Sequence, residues 1–278
     1  MSKSSFKLAL IQLAVGRDKA LNLTNASKAV SKAVSNGAQV ICLPECFNSP
    51  YGTKYFKEYA ESVPNGPSCL ALSDIAKQHR VFLFGGSIPE VDDAEKLYNT
   101  CTIWSPEGNL LGKHRKMHLF DINIPGKISF KESEVLSPGN DLTIVSTPWC
   151  KIGVGICYDI RFPELALLTA SKDCRLLLYP GAFNMTTGPD HWELLARGRA
   201  IDNLLYVGVN SPARDLQADY TAWGHSSIVD PWGRVISKAG VDEEIIYADI
   251  DPAYAQEIRE SIPIHSQKRE DVYKLSKL

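Results

Sequence analysis

The sequence predicts a mixed α/β fold in a single domain. Strand-like and helix-like segments alternate along all 278 residues. Short apolar runs end repeatedly in Pro, Gly or a charged residue, as strands do. No repeat, low-complexity stretch or Pro/Gly/Ser linker divides the chain. One domain is therefore expected over residues 1–278, with a core near 6–255 and a tail at 256–278.

The elements follow in order. Lys7 to Leu13 reads as a buried strand. Ala26, Ala29, Val30, Ala33 and Val34 keep helical spacing, and Gly37 ends that helix. Val40 to Leu43 is the next strand, and Pro67 opens a helix reaching His79. Val81 to Ile88 reads as one strand. Thr100 to Trp104 turns through Ser-Pro-Glu-Gly into Asn109 to Lys113, a hairpin. Ile152 to Ile156 is a short strand, and Pro163 starts a helix to Ala170. Then come a strand at Arg175 to Tyr179, a helix near Asp190 to Asp202 and a strand at Leu205 to Asn210. Ile228 to Ile236 is a hairpin around Asp230 to Gly233, and Ile245 to Ile250 is a further strand.

Composition narrows the function classes. Apolar content of 44% and charged content of 22% are ordinary for a globular protein. A net charge of −2 speaks against nucleic acid as a partner, which needs a concentrated basic face. No apolar run approaches the ~20 residues of a membrane span, so no membrane insertion is expected. Seven cysteines without paired spacing suggest free thiols in a reducing compartment, and so a cytoplasmic protein. Cys42 and Cys46 find no second Cys/His pair to complete a zinc site, so no metal is expected. The sequons at Asn22, Asn25 and Asn184 read as chance, because the first residues lack a signal peptide's apolar core. Ser276, Lys277 and Leu278 read as a peroxisomal address for an import receptor.

The chemistry centres on Cys157, in Gly153-Val-Gly-Ile-Cys-Tyr-Asp-Ile-Arg-Phe-Pro-Glu164. The cysteine stands where a strand ends and a turn begins, the place where α/β sheets bind ligands. Asp159, Arg161 and Glu164 crowd that exit, and a core needs none of them. A lone thiol, with a pKa near ~8.5, needs a base and a group to hold the oxyanion formed on attack. Glu45, at the tip of the strand-like Val40 to Leu43, can supply the first. Lys116, just past Leu110 to Lys113, can supply the second. A histidine base drawn from residues 79, 114, 118, 191, 225 and 265 is the competing reading, with His118 and His225 foremost. No papain-like motif, Gly-x-Ser-x-Gly elbow or dinucleotide fingerprint is present.

Leu-Pro-Glu at Glu45, His-Arg-Lys at Lys116 and Gly-Ile-Cys-Tyr-Asp at Cys157, in that order, resemble the nitrilase, or carbon–nitrogen hydrolase, superfamily. The segment Phe130 to Gly139 resembles the one carrying that family's second glutamate, here Glu132. Within the family the chain looks most like the omega-amidases, on the strings 44–52, 116–128, 179–189 and 191–197. The resemblance implies a four-layer α-β-β-α sandwich of the nitrilase type, a homodimer paired through helices and catalysis without a cofactor. It implies hydrolysis of a small anionic amide, 2-oxoglutaramate or 2-oxosuccinamate, through a cysteine thioester. Deaminated-glutathione amidase, nitrile hydrolysis and a catalytically silent scaffold are the alternatives.

On this resemblance Glu45 is the general base, Lys116 and a backbone N–H near Tyr158 hold the oxyanion, and Glu132 orients Lys116. Read without it, Glu45 is an exposed strand-end carboxylate and Lys116 one more cation in a basic turn. Glu132 is then a solvent-facing helix residue beside Glu134. Arg161 either pairs with Asp159 or Glu164 or clamps a substrate carboxylate, which its planar fork matches. Tyr51, Phe183 and Thr187 are candidate pocket walls.

Overall fold

The computed structural model describes residues 5–276, so Lys277 and Leu278 of the terminal tripeptide lie outside the described residues. The first half runs β1 (Phe6–Gln12), α1 (Lys19–Ser35), β2 (Val40–Cys42), α2 (Thr53–Tyr59), α3 (Pro67–His79), β3 (Phe82–Phe84) and β4 (Ile88–Val91). It continues with β5 (Leu97–Trp104), β6 (Leu110–Arg115), β7 (Asp121–Ile124), β8 (Ile128–Lys131) and β9 (Thr143–Ser146). The second half runs β10 (Lys151–Val154), α4 (Pro163–Ala170), β11 (Cys174–Pro180), α5 (Gly188–Asn203) and β12 (Tyr206–Asn210). It ends with β13 (Ser227–Val229), β14 (Val235–Lys238), β15 (Glu244–Ile250) and α6 (Pro252–Ser261).

Two sheets stack face to face. One is ordered β15-β1-β2-β3-β5-β4 with β6 beside β5, the other β14-β13-β12-β11-β10-β9, and β7 and β8 form a separate hairpin. Apolar residues on alternate positions of β1 explain the layering. Leu8 and Leu10 share a core with Leu176, Leu178, Val207 and Val209 of the second sheet. Ala9 and Ile11 share another with Ala26 and Val30 of α1 and with Leu72 and Ile75 of α3. A strand covered on both faces reads as continuously apolar. Each fully buried Leu or Ile contributes roughly 1.5–3 kcal/mol, so both faces of β1 stabilise the stack. Gly208 lets the sheets approach: a Cβ there would stand 2.8 Å from Leu178 and 3.4 Å from Leu10. With α4 and α5 covering the second sheet, the fold is the four-layer α-β-β-α sandwich of the nitrilase type.

Most expected elements are found within a residue or two. The strand expected over Val81 to Ile88 is instead broken into β3 and β4. Gly85 and Gly86 lie in the break; Gly86 has φ +60°, and a Cβ there would fall 2.0 Å from the Pro44 carbonyl oxygen. That close approach lets the chain leaving β2 turn toward Glu45. The α2 and α6 helices and the β7–β8 hairpin were not anticipated. Asp251 starts α6 by accepting a hydrogen bond from the Ala253 N–H at 2.9 Å, and Ala255 and Ile258 bury its inner face. Among the described residues no helix is long and apolar enough to cross a membrane.

Candidate active site

Four candidate residues converge from separate strand exits. Glu45 follows β2, Lys116 directly follows β6, Glu132 directly follows β8, and Cys157 lies three residues past β10. Glu45, Lys116 and Glu132 are fully buried and Cys157 is 3% exposed. The readings of Glu45 as an exposed carboxylate, of Lys116 as a solvated cation and of Glu132 as a solvent-facing helix residue are therefore wrong. The β7–β8 hairpin brings Glu132 inward onto a short 3₁₀ turn.

Lys116 Nζ donates to Glu45 Oε1 at 3.2 Å and to Glu132 Oε1 at 2.9 Å. Glu45 also accepts from Asn99 Nδ2 at 2.8 Å and from the Ala182 N–H at 2.6 Å. Glu132 accepts from the Tyr51 hydroxyl and the Phe120 N–H, both at 2.7 Å. Every carboxylate oxygen is thus partnered, as burial of charge requires. The Cys157 thiol lies beside this cluster and feels the charges of Glu45, Lys116 and Glu132.

The electrostatics follow from the count of charges. Burial pulls the Lys116 ammonium down, but Glu132 and Glu45 outweigh it and hold it charged. Burial raises Glu45 above the usual carboxylate range; Lys116 opposes this and Glu132 adds to it. Burial, then Glu45, push the Cys157 thiol well up. Two carboxylates facing one ammonium leave a net negative cluster, so a standing thiolate is disfavoured. The sulfur must give up its proton as it attacks.

Cys157 adopts φ +47°, uncommon for a residue with a Cβ. Two features hold this elbow. A Cβ on Gly181 would stand 3.0 Å from Cys157 Cα, so only glycine lets the exit of β11 pass so close. Asp159, fully buried, accepts from the Ile156 N–H at 2.9 Å and the His118 N–H at 2.9 Å. Its two oxygens also meet His118 Nδ1 at 2.8 Å and His114 Nε2 at 3.0 Å. Burial would raise the Asp159 carboxyl, but hydrogen bonds from His114 and His118 hold it well below its ordinary value. Asp159 and the two histidines thus brace the elbow. No histidine lines the pocket at Cys157, which removes the Cys–His reading among the described residues.

That pocket is narrow, about 10 Å³; Arg161, Phe183 and Thr187, named from the sequence as substrate-binding candidates, line it, and so does Tyr158. Phe120, Asn184 and Tyr220 also line it and were not anticipated. Tyr51 is absent from this lining and instead bonds Glu132. The Tyr158 N–H opens the 3₁₀ turn Cys157–Arg161, whose first donors have no partner within the turn. Arg161 pairs with neither Asp159 nor Glu164. Asp159 is satisfied by the histidines, and Arg161 Nη1 lies 3.1 Å from His191 Nδ1. Its guanidinium packs 4.8 Å from the Phe183 ring centre and 5.5 Å from that of Tyr158. Arg161 Nε is buried without a hydrogen-bond partner.

Asn99 was also missed. Its signal was a run of polar residues, Asn99, Thr100 and Thr102, inside an apolar strand; all three are buried. Among the described residues no group of His, Cys, Asp and Glu is arranged to hold a metal ion.

Comparison with known proteins agrees with this geometry. The chain is 59% identical over 272 residues to omega-amidase NIT2 of Bos taurus, covering 98% of both chains. It is 60% identical over 273 residues to omega-amidase NIT2 of Danio rerio, again covering 98% of both. The solved structure of Saccharomyces cerevisiae Nit3, a member of branch 10 of the nitrilase superfamily, superposes with a TM-score of 0.89. That pair is 45% identical, covering 96% of this chain and 97% of Nit3. The carbon–nitrogen hydrolase profile matches residues 7–260, and the chain belongs to that family.

Proposed function

We propose that this chain is an omega-amidase that hydrolyses the terminal amide of small dicarboxylic acid monoamides, 2-oxoglutaramate and 2-oxosuccinamate, through a thioester on Cys157. The observation that carries the mechanism is the buried cluster in which Lys116 bridges Glu45 and Glu132 beside the Cys157 thiol. The near-60% identity to omega-amidases over almost the whole chain supports the substrate class.

The steps follow from the charges. As sulfur attacks the amide carbon, its proton passes to Glu45, whose raised pKa suits it to receive one. The oxyanion forms beside the Lys116 ammonium and the Tyr158 N–H, donors fixed in place before reaction. The carbon–nitrogen bond breaks, Glu45 returns the proton to the leaving nitrogen, and ammonia departs. Water then attacks the thioester, giving its proton to Glu45; the carbon–sulfur bond breaks, Glu45 passes that proton to the Cys157 sulfur, and the acid is released. Glu132 keeps Lys116 charged and aligned throughout. Splitting one hard displacement into two is the gain of covalent catalysis. Arg161, charged and without a carboxylate partner, receives the substrate's free carboxylate. Phe183 and Thr187 wall the chain between.

A homodimer is part of this reading. On α5, Leu194 is 68% and Ile201 49% exposed; Trp232, at 52%, and Ile236, at 42%, stand on the β13–β14 hairpin. Arg197 Nε donates to the Gly233 carbonyl at 2.8 Å, joining helix and hairpin in one surface. An apolar patch of this kind marks an interaction site. Leu165 on α4 and Trp192 on α5 are buried inside the subunit and take no part in this face.

The deciding measurement is ammonia release from 2-oxoglutaramate against deaminated glutathione at equal concentration. A larger specificity constant for deaminated glutathione would overturn the proposed substrate.

A further inference from the structure

Glu45 borders a cavity other than the narrow pocket at Cys157. A second cavity, of about 300 Å³, has Glu45 in its wall but not Cys157. It runs from Glu45 past Ser49 and Tyr51 to a mouth at Asp215, Ala218 and Asp219. Ala182 and Tyr220 line both spaces, and the Tyr220 hydroxyl closes the partition by donating to the Ala182 carbonyl at 2.7 Å. Ala182 and Tyr220 therefore stand between the nucleophile's pocket and a larger chamber that reaches the candidate base.

The two spaces differ in charge. Arg161 is the charged residue of the Cys157 pocket. The larger cavity is lined by Glu45, Asp215 and Asp219 against Arg17 alone. Asp219 pairs with Lys54 at 2.8 Å and with Arg17 at 3.5 Å, and Glu45 with Lys116 at 3.2 Å, so the cations at this cavity are already engaged by carboxylates. Such a chamber offers no surplus positive charge to draw in an anion and admits neutral water. Ser49, in its wall, is fully buried, and its hydroxyl has no hydrogen-bond partner in the protein. Buried polar groups of this kind are those that ordered water satisfies.

On the reading that Arg161 holds the substrate's carboxylate, the acyl group lies on the Cys157 side of Ala182 and Tyr220, and the larger cavity leaves Glu45 open to water. We propose that the cavity between Glu45 and the Asp215–Asp219 mouth is the route by which hydrolytic water arrives at Glu45. The inference rests on the amidase reading above. It assigns the chamber to the second half-reaction alone: water's oxygen bonds the thioester carbon, its proton goes to Glu45, and sulfur leaves.

Filling the chamber tests this. Ala213→Leu adds bulk to its wall, and Ala218→Phe covers its exposed mouth at little risk to folding. Rapid quench and intact mass spectrometry follow the acyl-enzyme formed from 2-oxoglutaramate, alongside steady-state ammonia release. The expected result is an acyl-enzyme that decays at least fivefold more slowly, with kcat/KM within twofold of wild type. Acylation sets kcat/KM, and deacylation does not enter it. A fall in kcat/KM matching the fall in kcat would show that the chamber holds substrate and overturn the proposal. Unchanged decay in both variants would show that the chamber carries no water and overturn it equally. If the wild-type protein forms no acyl-enzyme with 2-oxoglutaramate, the amidase reading fails instead, and the two failures are distinguishable.

Discussion

Replacing Arg161 with Met keeps the side chain's length and its packing on Phe183 and Tyr158 while removing the charge. The structure makes this a clean perturbation. No carboxylate of the protein depends on Arg161, since Asp159 is satisfied by His114, His118 and two backbone N–H groups. The partner lost is His191 Nδ1, which solvent can replace at the surface. The cost should therefore fall on the substrate. Losing one charge-assisted hydrogen bond costs roughly 1.5–3 kcal/mol. At about 1.36 kcal/mol per decade, that is about ten- to a hundredfold in kcat/KM. The assay is ammonia release from 2-oxoglutaramate and from pentanamide, a neutral amide of equal chain length. Arg161→Met should lose the full factor on the first and little on the second. Arg161→Lys should recover only part, because an ammonium cannot match the bidentate fork. Equal losses on both substrates would show that Arg161 shapes the elbow, and the carboxylate clamp would be abandoned.

The remaining predictions concern the cluster, its brace and the subunit surface. Glu45→Gln and Lys116→Ala should each abolish acyl-enzyme formation on mixing with substrate, and Cys157→Ser should leave less than about a tenth of wild-type turnover; normal acyl-enzyme in either of the first two removes that residue from the chemistry. Asp159→Asn should cost about 3–5 kcal/mol at neutral pH, since it breaks a buried, hydrogen-bonded charge. Because the folded carboxyl is held below its unfolded value of about 3.9, its contribution is present above that pH. It is lost as pH falls through the lower folded value, so urea midpoints of wild type and variant should converge toward acid; a constant gap down to pH 2 would contradict this. Sedimentation at micromolar concentration should give a dimer, and Leu194→Glu with Trp232→Glu a folded monomer; a wild-type monomer of 30.7 kDa would remove the interface.

Much of this fold was legible because its signals are local. Pro67 and Pro163 mark the first turns of α3 and α4, where a missing N–H costs nothing. Glu45, Lys116 and Cys157 were legible for a related reason, since each stands at the end of a strand-like run; Glu132 was named through the family resemblance alone, because the hairpin that carries it was not anticipated. What was hidden depends on contacts between distant segments. The break between β3 and β4 is set by the Pro44 carbonyl, forty-two residues before Gly86. Asn99 and the Ala182 N–H reach Glu45 from β5 and from the exit of β11, on opposite sheets. No spacing rule links them.

Arg161 shows how a proposed role can rest on an incomplete account of a residue's neighbours. From sequence, the adjacent Asp159 and Glu164 were its natural partners, since opposite charges close in a chain usually meet. The structure gives Asp159 to two histidines that arrive from β6 and the turn after it. Those histidines fix the cysteine's elbow, and by occupying Asp159 they leave the guanidinium unclaimed at the pocket wall. The same arrangement separates rigidity from recognition. Asp159 holds the nucleophile's backbone from behind, while Arg161 stands at the pocket wall, where the proposed clamp would meet the substrate's charge. A nearby carboxylate on Arg161 would have weakened both, by competing with the substrate and by drawing the turn out of its strained φ.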